Sequence, residues 1–115
     1  WVSHEEIKKV MKEYDLFLQP SYPETLGRVY FEAMASGVPV LASKNTGVDG
    51  IIENGREGYL IDHEEFDSIL NVIKTFVSMP SKEQLSLKEN AIRTASQNSW
   101  SNALKKYYNF YTSIK

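Results

Sequence analysis

In the stretch YPETLGRVYFEAMASGVPVLAS, residues 22–43, Glu24 and Glu32 stand eight positions apart with Gly27 between them. Two carboxylates can form an acid–base couple or grip hydroxyl groups, and their separation decides which. Along one helix at about 1.5 Å per residue they lie roughly 12 Å apart. Hydrolytic carboxylate pairs sit at about 5–9.5 Å, so such a couple is disfavoured unless the loop folds Glu24 back. The wider spacing suits the two ends of one extended ligand, with the reach of a sugar joined through a diphosphate to a ribose.

Glu32 falls two turns into an expected helix that is apolar at nearly every other position, so its carboxylate must pair, reach solvent or meet a ligand. An i, i+4 pair with Arg28 is the plainer alternative and is worth only a few tenths of a kcal/mol. Gly27, in the first turn, opens the amides of Leu26, Gly27 and Arg28 to an anion at the positive end of the helix dipole. It also permits close packing at a helix start, and both readings stand. The G-x-G-x-x-G and Walker patterns are absent, which excludes those two phosphate sites.

The elements that would carry these residues alternate. Ser3 with Glu6 forms a capping box ahead of a helix over 4–13. DLFLQ, residues 15–19, reads as a short strand buried on both faces and stopped by Pro20. A helix follows from Leu26, ended by Gly37 in a left-handed cap and by Pro39. PVLAS (39–43) and GYLI (58–61) read as further buried strands, separated by the turn-rich ENGREG. Residues 64–77 form an amphipathic crossover helix, Ser81 with Gln84 is a second capping box opening a helix to about 96, and residues from Trp100 define a last helix. This order predicts an α/β fold with a partial doubly wound, Rossmann-like parallel sheet. Three strands are few for that architecture, so the chain reads as one partial domain over 1–115.

Composition narrows the classes. The 115 residues are 42% hydrophobic and 24% charged, enough for one core, with no run of about 18 apolar residues to span a bilayer. Without cysteine there is no disulfide, thiolate nucleophile or cysteine zinc site. The net charge of −2 and the mild sign difference between the two ends of the chain do not make a nucleic-acid footprint. A cytoplasmic location is expected, with peripheral contact at the inner face of a membrane as a variant. His4 and His63 lack a third ligand at metal-binding spacing and are read as exposed or capping, and Asp15 as a turn or cap acid.

DLFLQPSYPETLGRVYFEAMASGVPVLAS resembles the signature block of retaining GT-B glycosyltransferases of the sucrose-synthase, glycogen-synthase and mannosyltransferase-like group. The likeness continues through NTGVDGIIENGREGYLI and covers roughly 14–77 strongly and the last helices loosely. It implies the C-terminal half of a GT-B C-terminal domain. The glutamate matching Glu24 would contact the transferred sugar of a nucleotide-sugar donor and be the catalytic-site residue, and the one matching Glu32 the ribose hydroxyls. Backbone at Thr25, Leu26, Gly27 and Arg28 would approach sugar and phosphates. The implied chemistry is transfer of a hexose, with retention, to a glycan or lipid-linked acceptor, without a metal or other cofactor. The alternatives are a non-catalytic GT-B-like binding or assembly module and a GT-B nucleotide-sugar epimerase.

Two departures matter. Gly50 stands where the family commonly has a glutamate, and the family's diphosphate-binding arginine and lysine come from a segment before the matched block. The chain is therefore expected to be a fragment that does not turn over alone. Its last helix, about 100–113, is expected to pack on a missing N-terminal domain, or to drive self-association through Tyr107, Tyr108 and Tyr111 when uncovered.

Overall fold

The computed structural model describes residues 3–20, 22 and 28–114. The side chains of His4 and Trp100 are outside that description. The elements in chain order are α1 (His4–Met11), β1 (Phe17–Gln19), α2 (Arg28–Ala35), β2 (Val40–Ser43), β3 (Gly58–Ile61), α3 (Phe66–Ser78), α4 (Ser81–Gln97) and α5 (Trp100–Ser113).

The three strands form one parallel sheet in the order β1-β2-β3, with Phe17 beside Val40 and Val40 beside Gly58. The central strand β2 is buried throughout, and its side chains alternate between two cores as pleating requires. Val40 and Ala42 join Met11, Tyr30, Ala33, Met34 and Ala91 on the face covered by α1 and α2. Leu41 joins Tyr59, Ile61, Phe76 and Leu87 on the face covered by α3. The α4 helix contributes Ala91 to one core and Leu87 to the other. That shared edge explains how its thin apolar stripe suffices.

Local chemistry sets the joints. The Ser3–Glu6 capping box is formed in both directions. Gly37 ends α2 at φ +78°, with Val38 N donating to Ala33 O at 3.0 Å and Gly37 N to Met34 O at 3.0 Å, a left-handed closure that a side chain would strain. At Gly58 a Cβ would stand 2.4 Å from the Val40 carbonyl oxygen, so β3 can lie this close to β2 only as glycine.

Three expectations need correction. The strand β1 lies at the sheet edge rather than buried on both faces. Leu18 is 42% exposed and lines an open apolar groove with Ile7, Val10 and Tyr14. The second capping box does not form. Pro80 is the N-cap of α4, placing Ser81 inside the helix, while the Gln84 amide turns back to the carbonyls of Phe76 and Met79 and closes α3. Asp15 is not a cap but a partner of Lys88 Nζ at 3.1 Å. The helix carrying Glu32 is described from Arg28, and its expected start at Leu26 lies outside the described residues.

Candidate functional site at the carboxyl edge of the sheet

In an open parallel sheet the strand carboxyl ends leave a crevice in which ligands bind. Here those ends are Gln19, Ser43 and Ile61. The crevice is fixed by three ties. The Tyr30 hydroxyl, on a fully buried ring, donates to the Gln19 carbonyl and so fastens α2 to the last residue of β1. The Tyr30 ring meets Phe17 edge-on at 6.1 Å and 77°. Lys44 N donates to Ile61 O at 2.8 Å and joins the exits of β2 and β3.

The loop after β2 is wound by its own side chains. Thr46 Oγ1 donates to Ser43 O at 2.8 Å, and Asn45, at φ +60°, donates its amide to Asp49 Oδ2 at 2.7 Å. Val48 and Ile52 anchor the loop in the core. A similar device shapes 53–58. Glu57 is 1% exposed, accepts the Glu53 amide and lies 3.2 Å from Arg56 Nε, which balances the cost of burying a carboxylate.

A polar cleft of about 290 Å³ opens over β2 and β3, lined by Tyr22, Lys44, Asn45, Asp62, His63 and Glu64. Among its lining residues Tyr22 stacks on His63, with centroids 4.2 Å apart and planes 6° from parallel. His63 Nδ1 lies 3.9 Å from Asp62 Oδ1 and Nε2 lies 3.8 Å from Glu64 Oε1. His63 is exposed, as expected, and its ring also stacks on Tyr22. Sequence reasoning missed this pair because its members are 41 positions apart and neither belongs to a periodic pattern.

Of the expected site residues, Arg28 and Glu32 lie one turn apart on α2, the first exposed and the second half-buried. Glu24, Thr25, Leu26 and Gly27, and with them the expected 12 Å spacing, lie outside the described residues. Among the described residues no group of three histidine, aspartate or glutamate side chains could hold a metal ion, and no helix is long and apolar enough to cross a membrane.

Residues 1–94 match the family model described as glycosyl transferases group 1. Among curated relatives, the D-inositol 3-phosphate glycosyltransferase of Corynebacterium urealyticum is 27% identical over 110 residues, 96% of this chain and 26% of the relative. The protein of the same description from Rhodococcus jostii is 34% identical over 79% of this chain and 20% of its own length. The chain thus spans about a quarter of the length of the curated relatives it matches. Among solved structures, Anabaena Alr3699/HepE in complex with UDP and glucose superposes with a TM-score of 0.80 at 30% identity, over 96% of this chain and 30% of that one. Sucrose-phosphate synthase from Thermosynechococcus elongatus, at 24% identity, shares the fold with a TM-score of 0.84 over 98% of this chain and 28% of its own. The architecture is that of GT-B glycosyltransferases.

Proposed function

We propose, from the premise that this chain belongs to the glycosyl transferases of group 1, that its sheet edge binds a nucleotide-sugar donor. A protein built around it transfers a hexose from that donor, with retention, to a glycan or lipid-linked acceptor. The observation that carries this reading is that α2, which carries Arg28 and Glu32, is fastened by Tyr30 to the carboxyl end of β1. Ligands of open α/β sheets collect at this place, and helix starts favour anions such as a diphosphate. The similar Anabaena protein has been crystallised in complex with UDP-glucose and with UDP and glucose, which supports the donor class.

The roles follow from chemistry. Glu32 accepts hydrogen bonds from the ribose hydroxyls, a charge-assisted contact. Glu24 orients the sugar near its anomeric carbon, and the amides of Thr25, Leu26, Gly27 and Arg28 stabilise charge growing on the diphosphate as the bond to the sugar breaks. These acids bind and align, which their wide spacing suits better than proton exchange across one bond. The same reading places the protein in the cytoplasm, where nucleotide sugars are made.

The test is titration of the chain with UDP and with UDP-glucose. Glu32→Ala weakens both by about 10-fold or more, the loss of a charged hydrogen bond of about 1.5–3 kcal/mol. Glu24→Ala weakens UDP-glucose and spares UDP. Equal affinity of both variants and the parent chain for both ligands overturns the reading. A second reading, self-association or partner capture through α5, is favoured by one observation: Tyr107, Phe110 and Ile114 are each more than 60% exposed, an apolar stripe on the surface of that helix. Concentration-independent monomeric sedimentation contradicts it.

A further inference from the structure

We propose that His63 is a positioning residue, which holds the chain leaving β1 against the chain leaving β3 by stacking on Tyr22. The pair bridges the whole sheet edge. Tyr22 follows β1 and His63 follows β3, and β2 lies between them, so the two strands are about 9–10 Å apart. Backbone hydrogen bonds join only neighbouring strands. The Lys44-to-Ile61 bond ties β2 to β3, and the Tyr30-to-Gln19 bond ties α2 to β1. The stack alone among these ties reaches from the first strand exit to the third.

Its geometry is that of a fixed contact. Planes 6° from parallel at 4.2 Å put the rings in face contact in the cleft that Lys44 and Asn45 also line. Asp62 Oδ1 stands 3.9 Å from His63 Nδ1, and Glu64 Oε1 stands 3.8 Å from Nε2. Tyr22 is 52% exposed, so the stack contributes orientation more than burial. Tyr22 lies six positions before Arg28, the first described residue of the helix that carries Glu32. The pair therefore sets where Tyr22 stands at the β1 exit. Its consequence for ligand binding rests on the donor-site reading above, whereas the stack itself does not.

Hydrogen exchange of the chain, followed amide by amide, tests the proposal. Loss of an aromatic pair predicts that His63→Ala speeds exchange at Tyr22 by about 2- to 13-fold. His63→Phe, which keeps a planar ring, restores the parent rate, and the amides of β2 and α4 keep theirs in both variants. UDP-glucose affinity falls with His63→Ala and returns with His63→Phe. Unchanged exchange at Tyr22, no rescue by phenylalanine, or an increase spread equally through β2 and α4 overturns the proposal. If Glu32→Ala lowers UDP-glucose affinity and His63→Ala does not, the positioning role is overturned and the donor site survives. If Glu32→Ala has no effect, the donor-site reading fails instead.

Discussion

Replacing Tyr30 by phenylalanine removes one oxygen and tests how α2 is held at the sheet edge. The ring is fully buried and keeps its edge-on contact with Phe17, so packing is unchanged. What is lost is the hydroxyl donor to the Gln19 carbonyl, leaving a half-buried acceptor at the end of β1 short of that partner. An unmet acceptor of this kind costs about 1–2 kcal/mol. At about 2.1 cal/mol/K per residue, the unfolding entropy of this chain is about 0.24 kcal/mol/K, and the loss becomes a fall in Tm of about 4–8 °C. Thermal unfolding followed by circular dichroism reads the shift, and urea unfolding with an unchanged slope confirms that the denatured state is the same. Tyr30→Ala, which also empties the ring's space, costs about 3–5 kcal/mol. A Tyr30→Phe protein that melts within about 1 °C of the parent refutes the claim that this hydroxyl fastens the helix.

Two further outcomes follow from the core. Gly58→Ala drives a methyl to 2.4 Å from the Val40 carbonyl oxygen and parts β3 from β2, a loss of about 1–3 kcal/mol or more in urea unfolding. The Tyr59 hydroxyl is buried without a partner among the described residues, and burial, with Glu83 adding its charge, raises its pKa above the usual value of 10.0. The folded state therefore prefers the neutral phenol. Its contribution is intact below about pH 10 and is lost as pH rises through the folded pKa, and Tyr59→Phe abolishes this alkaline loss in pH-dependent melts.

Much of the scaffold was legible because it is written in local chemistry. Ser3 and Glu6 meet within one turn, Gly37 ends its helix where a left-handed residue is needed, and GYLI is bounded by turn formers, so each element follows from its neighbours in sequence. The failures were tertiary. Ser81 and Gln84 have the spacing of a capping box, yet Pro80 occupies the cap and the Gln84 amide is drawn to the end of α3. Asp15 looks like a cap until Lys88, 73 positions later, is brought beside it. DLFLQ is apolar enough for a central strand, but strand order, which composition does not encode, puts it at an edge. The spacing of Arg28 and Glu32 on one helix was legible, while Tyr22, Lys44, Asn45 and His63 meet in the cleft only because three strand exits converge.

Amide chemical shifts recorded while UDP-glucose is added to the chain test the central claim most directly, because they report where the ligand sits without assuming a reaction. The account predicts the largest shifts from Tyr22 to Glu32 and in the adjoining loop after β2, saturating together. Shifts confined to the aromatic face of α5 or to the groove between α1 and β1, with Arg28 and Glu32 unmoved, contradict it.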